Sequence, residues 1–118
     1  SSNNIKNEFI IINFFASWYA PCKLEHSLFF ILKEKFPEAH LMGISFKDSK
    51  EDTLKYLNEF GNPYSSVGFD NKGNLGLKLG VFGLPETFIV SKSKKIIYKN
   101  LGPITNEIIN EEIKPLLK

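Results

Sequence analysis

Apolar residues fall first into a short continuous run and then into a helical spacing. The run over residues 9–16 is rich in Ile and Phe and is typical of a buried strand. A helix is predicted after it, because Pro21 suits a first helical turn and Phe36 precedes Pro37. We expect its apolar residues to face the core and its charged residues to face elsewhere: Leu24, Leu28, Ile31 and Leu32 against Lys23, Glu25, Lys33 and Glu34.

The alternation of strand and helix patterns continues. A second apolar strand is predicted over His40–Phe46. Asp48-Ser49-Lys50 leads into a second predicted helix, which continues through Phe60 and is stopped by Gly61-Asn62-Pro63. The apolar positions of this helix are Leu54, Leu57 and Phe60.

Shorter elements follow in the second half of the chain. The pattern predicts a short strand over Tyr64–Phe69 and one or two helical turns over Leu75–Leu79. Thr87–Ser91 and Lys95–Lys99 are separated by a polar tip and form a predicted hairpin. A closing helix is predicted over Asn106–Leu117, with the apolar stripe Ile108, Ile109, Ile113 and Leu116.

This order of elements indicates an α/β fold. Its central sheet is expected to be mostly parallel with an antiparallel edge, and to be covered by helices. A length of 118 residues is usual for one domain. Because the chain shows no repeat, linker or low-complexity segment, we expect one domain over residues 1–118.

Composition narrows the class of protein. Apolar residues make up 42% and charged residues 24%, which excludes a disordered tail, a fibrous repeat and a disulfide-dense mini-protein. The net charge of +2 is too balanced to indicate a nucleic-acid surface. All fifteen cations are Lys, so the chain also lacks the guanidinium fork that recognises phosphate or guanine. No nucleic-acid partner is expected.

The single cysteine, Cys22, excludes an internal disulfide and a Cys-rich zinc site. No metal or cofactor is expected. The run over residues 9–16 is much shorter than the ~20 residues of a membrane helix. Ser1-Ser2-Asn3-Asn4 carries none of the basic residues that begin a signal peptide, and it is consistent with a trimmed start.

The candidate chemistry lies in residues 16–23, where a strand end turns directly into a helix. The first-turn amides of a helix lack internal partners, and the helix dipole adds partial positive charge there. A thiolate at that place is stabilised, and two cysteines spaced C-x-x-C there can attack a disulfide and release it. Here Tyr19 stands at the first of these positions and Cys22 at the second.

Three ordered blocks resemble one family. Residues 14–26, FFASWYAPCKLEH, resemble the W-C-x-x-C-x-x-E-H segment of thioredoxin-like proteins of the TlpA and CcmG/DsbE kind. Residues 61–89 contain GVFGLPETFI, which is similar to the G-V-x-G-x-P-E-T-F pattern of the cytochrome c maturation branch. Residues 111–116 fit the same branch. The resemblance implies a thioredoxin-like fold whose inserted helix-strand unit covers about residues 50–69.

The resemblance also implies catalytic positions. Tyr19 matches the nucleophilic cysteine and departs from it, whereas Cys22 matches the second, resolving cysteine. Pro85 matches the family's cis-proline, which faces the redox site and presents backbone to a bound polypeptide. Glu86 matches an acidic residue near the site, and Glu25 matches the helix glutamate, for which a tuning role is expected.

Substrate binding is expected from the residues around that centre. Trp18 matches the aromatic shoulder of the site and Pro21 the proline of C-x-P-C, and we expect Leu84 beside Pro85 to contribute as well. A phenol oxygen forms no disulfide, so the chain as written is expected to be unable to cycle between dithiol and disulfide. Tyr19 is compatible with an engineered change, a natural loss of the thiol or a sequence error.

The activity implied by the resemblance is thiol:disulfide exchange in the periplasm, keeping the C-x-x-C-H thiols of apocytochrome c reduced for haem attachment. The implied partners are apocytochrome c, other maturation thiol proteins and a membrane electron donor of the DsbD kind. Family members usually carry an N-terminal anchor, so inner-membrane attachment is expected only through such a segment. The alternatives are a redox-inactive polypeptide-binding module and a general periplasmic disulfide reductase.

Overall fold

The computed structural model describes residues 9–81 and 83–117. Ser1–Asn4, and Phe82 in the GVFGLPETFI block, lie outside the described residues. Five strands form one sheet in the order β3-β2-β1-β4-β5. Their bounds are β1 Ile10–Phe15, β2 His40–Phe46, β3 Ser66–Asp70, β4 Glu86–Val90 and β5 Ile96–Leu101.

The sheet is mixed. Strand β1 pairs in parallel with β2, and β2 in parallel with β3. The hairpin of β4 and β5 is antiparallel, and β4 pairs antiparallel with β1. The predicted α/β class and the hairpin are therefore confirmed, whereas the expectation of a mostly parallel sheet is wrong, because two pairings are parallel and two are antiparallel.

Four helices connect and cover the strands: α1 Ala20–Lys35, α2 Lys50–Phe60, α3 Asn74–Leu79 and a composite closing helix, α4. The composite helix begins with Asn106–Ile108, continues as the π-helical turn Ile109–Ile113 and ends with Lys114–Leu117. Pro115 supplies no N–H and its ring crowds the carbonyl of Glu111, so the wide turn before it relieves a conflict within the predicted helix. The inserted unit corresponds to α2 and β3.

The two faces of the sheet bury different clusters. Alternate residues of β1 point to opposite faces. Ile11 and Phe15 join the larger cluster, which includes buried residues of α1, α2 and α4. Phe14 joins a smaller cluster with Phe88 on the other face, where Leu79 of α3 packs. Helices therefore cover both faces, and the larger core lies under α1.

The predicted inward faces of α1 and α2 are partly wrong. Leu24 is 77% exposed and Ile31 is also exposed, whereas Glu25 is buried at 1% exposure. In α2, Leu54 and Phe60 are about half exposed. The buried positions of the two helices are Cys22, Glu25, His26, Phe29 and Leu32, and Thr53, Tyr56 and Leu57. Polar side chains can occupy these positions because partners from distant elements satisfy their hydrogen bonds.

Candidate functional site

The turn between β1 and α1 places Tyr19 and Cys22 at the start of the helix. Tyr19 has extended backbone angles and is the residue immediately before α1. Its N–H donates to the Ala16 carbonyl at 3.3 Å, and its carbonyl accepts from the Cys22 N–H at 3.1 Å. Pro21 occupies the first turn, where its missing N–H costs no helical hydrogen bond. The helix start predicted from the sequence is confirmed.

The side chains of Trp18 and Tyr19 lie at the surface of this turn. Trp18 is 58% exposed and Tyr19 is 37% exposed, and their ring centroids are 5.6 Å apart. The Trp18 indole N–H donates to the Lys47 carbonyl at 3.3 Å. The two rings present an aromatic surface to solvent, and the indole hydrogen bond fixes one of them to the loop after β2.

Asp48 holds the same turn and was missed by the sequence analysis. Its Oδ2 atom accepts from the Ser17 N–H at 2.9 Å and from the Ser17 hydroxyl at 2.6 Å. Its Oδ1 atom accepts from the Ser49 N–H at 3.0 Å. Asp48 stands just before the Ser49 cap of α2, which signals a helix start but gives no sign of a partner thirty-one residues earlier.

Cys22 is buried beneath the turn. Its exposure is 2%, and it belongs to the larger core cluster with Phe15 and Phe29. Burial, with a smaller contribution from the neighbouring Glu25, raises the pKa of the Cys22 thiol to about 12, although a backbone hydrogen bond at Ala16 lowers it. A thiol in this state reacts slowly with external reagents, which fits a resolving position and not a nucleophile.

Glu25 lies one turn after Cys22, inside the core. Its Oε1 atom accepts from the Ile104 N–H at 2.9 Å, and its Oε2 atom accepts from the Asn13 amide at 3.0 Å. Burial raises the pKa of Glu25 to about 7, although both of these hydrogen bonds lower it. A carboxyl group with such a pKa can gain or lose a proton near neutral pH. The sequence pattern did not indicate the burial of Glu25, because it placed this residue on an outer face of the helix.

The loop before β4 contributes Leu84 and Pro85. The Leu84–Pro85 peptide bond is cis, as the resemblance implied. The Pro85 carbonyl accepts from the Gly102 N–H at 2.9 Å, which ties the loop to the end of β5. Leu84 is partly buried and packs against both core clusters, the larger of which contains Cys22.

Glu86 begins β4 on the other face of the sheet. It pairs with Phe14, whose side chain belongs to the smaller cluster, and it is 1% exposed. Its Oε2 atom accepts from the Gly83 N–H at 3.1 Å, and its Oε1 atom lies 3.6 Å from the Lys99 Nζ atom. The sheet therefore separates the Glu86 side chain from Cys22 and Glu25.

The histidines are structural in their contacts. The His26 ring is 2.8 Å from the Gly61 carbonyl oxygen, and burial lowers the pKa of His26. The His40 ring lies 2.8 Å from the Ser66 hydroxyl oxygen. Within residues 9–81 and 83–117, no group of three or more His, Cys, Asp or Glu side chains is placed to hold a metal ion.

Comparison with known proteins gives consistent results. The model of the AhpC/TSA family matches residues 1–99. Thiol:disulfide interchange protein CycY of Rhizobium leguminosarum bv. viciae is 37% identical over 116 residues, which are 97% of this chain and 61% of that protein. HelX of Rhodobacter capsulatus, also named a thiol:disulfide interchange protein, is 40% identical over 107 residues, 91% of this chain and 60% of its own length.

Solved structures share the fold. StoA from Bacillus subtilis superposes with a TM-score of 0.73 at 22% identity, covering 89% of this chain and 81% of StoA. A secreted thiol-disulfide isomerase from Corynebacterium glutamicum superposes with a TM-score of 0.79 at 23% identity, covering 94% of this chain and 71% of the other. A thioredoxin-like protein from Aeropyrum pernix also superposes, with a TM-score of 0.78 at 23% identity over 98% of this chain and 81% of the other, so the predicted thioredoxin-like architecture, a mixed sheet flanked by helices, is confirmed.

The chain spans about 60% of the length of the curated relatives it matches. In the part of the chain that the structure describes, no helix combines the length and the apolar character needed to cross a bilayer.

Proposed function

The chain belongs to the AhpC/TSA family, and on that premise we propose that it is the single thioredoxin-like domain of a periplasmic thiol:disulfide interchange protein of cytochrome c maturation. The observation that carries this proposal is the placement of position 19 and Cys22 at the start of α1. The names of the relatives CycY and HelX, both thiol:disulfide interchange proteins, support it.

The exchange requires a thiol at position 19. A thiolate there attacks the disulfide of a partner, forms a mixed disulfide and releases one partner thiolate. The Cys22 thiolate then attacks the sulfur at position 19, so that the protein keeps the disulfide and the partner leaves as a dithiol. Two electrons pass to the partner, whose two thiolates take up protons from water, and Glu25 accepts the proton that Cys22 loses, because its pKa of about 7 suits proton transfer near neutral pH.

Partner recognition is assigned to the surface around the turn. The exposed Trp18, with Pro21 and the Leu84–Pro85 loop, is suited to bind an extended polypeptide. The substrate class we propose is the oxidised C-x-x-C-H segment of apocytochrome c or a disulfide of another maturation protein. A membrane dithiol donor of the DsbD kind would reduce the domain again, and an N-terminal segment would anchor the whole protein to the inner membrane.

With Tyr19 in place, the domain is redox-inactive, because a phenol oxygen cannot form the mixed disulfide. The exposure of Trp18 and Tyr19 favours a second candidate function, a polypeptide-binding module that captures the same segments without exchanging electrons. Cys22 cannot substitute for the missing thiol, because it is the single cysteine of the chain and no second thiol would resolve a mixed disulfide formed with it.

A glutathione redox titration of the parent chain and the Tyr19→Cys variant tests the proposal. The variant is expected to show a reversible two-electron transition with loss of two free thiols, and the parent none. The matched control is the Tyr19→Cys/Cys22→Ser double variant, which keeps the new thiol and removes the resolving one. A Tyr19→Cys variant that forms no internal disulfide would refute the oxidoreductase proposal and favour the binding module.

A further inference from the structure

A buried chain of hydrogen bonds runs from Tyr64 to Glu25. The Tyr64 hydroxyl donates to the Asn13 Oδ1 atom at 2.8 Å, and the Asn13 Nδ2 atom donates to Glu25 Oε2 at 3.0 Å. All three residues are nearly or completely buried, with exposures of 5%, 0% and 1%. They come from the loop after α2, from β1 and from α1, so three separate elements meet in this chain.

We propose that Tyr64 is a positioning residue that acts through Asn13, fixing the side-chain amide so that its NH2 group faces Glu25 and holds that carboxylate for proton exchange with Cys22. The purpose assigned to Tyr64 rests on the proposed function, whereas the contacts that support it involve only residues present in the chain.

The position of the Tyr64 ring is itself fixed. The ring stacks on Phe15, with centroids 5.2 Å apart and planes 20° apart. It also lies against Gly43 of β2, where a Cβ atom would approach the ring to 2.6 Å. Only glycine at position 43 leaves room for the ring, so tight packing places the Tyr64 hydroxyl within hydrogen-bond distance of Asn13.

The neighbours of Asn13 determine which way its amide points. The Nδ2 atom also lies 3.4 Å from the Glu86 carbonyl oxygen and 3.3 Å from the Thr87 hydroxyl. A carbonyl accepts only, so the NH2 group belongs on that side and Oδ1 on the side of Tyr64. Burial raises the pKa of Tyr64 well above its ordinary value, which keeps the phenol protonated as the donor to Oδ1.

The hydrogen bond that Tyr64 donates to Oδ1 polarises the Asn13 amide and strengthens the hydrogen bond from its NH2 group to the Glu25 carboxylate. Without the phenol, Oδ1 is buried without its donor, and the amide is less strongly polarised towards Glu25. The charged form of Glu25 is then stabilised less. Among the described residues, the other titratable groups that interact electrostatically with Glu25 are Cys22 on its own helix and Tyr56 on α2.

The test is a carboxyl-carbon NMR titration of the full chain labelled with 13C-glutamate, with the Glu25 signal assigned by its loss in Glu25→Gln. The parent midpoint is expected near 7. Tyr64→Phe is expected to raise it by about half a pH unit or more. Tyr56→Phe is the matched control: it removes a phenol oxygen from the same neighbourhood and is expected to leave the midpoint in place.

Action through Asn13 is tested by a double-mutant cycle. In the Asn13→Ala background, Tyr64→Phe is expected to move the Glu25 midpoint no further. The inference is overturned if Tyr64→Phe leaves the midpoint at the parent value, if Tyr56→Phe moves it equally, or if the full Tyr64 effect persists without Asn13.

A measurement on the parent chain covers the case in which Tyr64→Phe fails to fold. The Tyr64 hydroxyl proton is expected to exchange slowly with water and to show a nuclear Overhauser effect to the Asn13 side chain. A hydroxyl proton in free exchange overturns the inference. None of these measurements uses a redox couple. A Tyr19→Cys variant without a redox transition would therefore refute the proposed function without affecting the result for Tyr64.

Discussion

Glu25 and Glu86 are two carboxyl groups with the same 1% exposure on opposite faces of one sheet. Glu25 receives hydrogen bonds from two uncharged groups, the Ile104 N–H and the Asn13 amide. Glu86 receives the Gly83 N–H and has the Lys99 ammonium group 3.6 Å away. Equal burial therefore coexists with different electrostatic surroundings. On the face that carries Cys22, the Glu25 carboxyl group can exchange a proton near neutral pH. On the other face, Glu86 forms an ion pair with Lys99.

The largest effect that we expect is the pH dependence that Glu25 gives to the free energy of unfolding. The folded chain keeps the Glu25 proton up to about pH 7, whereas an unfolded glutamate releases it near pH 4.5. The folded state therefore binds more protons in this window, and the free energy of unfolding falls as pH rises through it, by up to about 3 kcal/mol. Glu25→Gln is expected to remove this decline, as measured by urea unfolding between pH 4.5 and 7.5.

The control for that experiment is Glu34→Gln on the exposed face of α1, which is expected to keep the decline of the parent. A Glu25→Gln variant with the same pH dependence as the parent would show that Glu25 is not the group responsible. The contrast with Glu86 would then lose its electrostatic basis.

A smaller effect is expected on the other face. Lys99→Met removes the ammonium group beside Glu86 and is expected to lower the free energy of unfolding at pH 7 by about 1–2 kcal/mol, because Lys99 is a third exposed and water compensates in part. Adding Glu86→Gln should restore most of the loss, since no buried charge then remains. Lys95→Met at the exposed hairpin tip provides the comparison and should cost under about 0.5 kcal/mol. Equal losses at Lys99 and Lys95 would argue against an ion pair that stabilises Glu86.

Local patterns were sufficient for the elements and for the turn that holds the site. The strand over residues 40–46 has the predicted bounds, and the helix after Asp48-Ser49-Lys50 ends at Phe60 as predicted. Both depend on signals close in sequence, the apolar run for the strand and Gly61-Asn62-Pro63 for the helix end. Position 19 and Cys22 likewise follow from one short segment, so their place at the helix start was predictable.

The interior of the site was not predictable in the same way. Glu25 is buried because the Ile104 N–H, seventy-nine residues away, and the Asn13 amide meet its oxygens. The Tyr64 hydroxyl donates to Asn13, which lies fifty-one residues earlier in the chain. The Tyr64 ring fits at this place because position 43 is glycine. Helical spacing instead favoured Leu24, which is 77% exposed. Hydrogen bonds between distant elements leave no periodic pattern, so a single sequence does not indicate them.

The most direct test of the proposed exchange is the reaction of the reduced Tyr19→Cys variant with a peptide that carries an oxidised C-x-x-C-H segment, followed by mass spectrometry of both products. We expect one peptide to be reduced for each protein molecule that gains the disulfide between position 19 and Cys22, while the parent chain reduces none. A peptide that stays oxidised beside the reduced variant, or one that the parent chain reduces equally well, would contradict it.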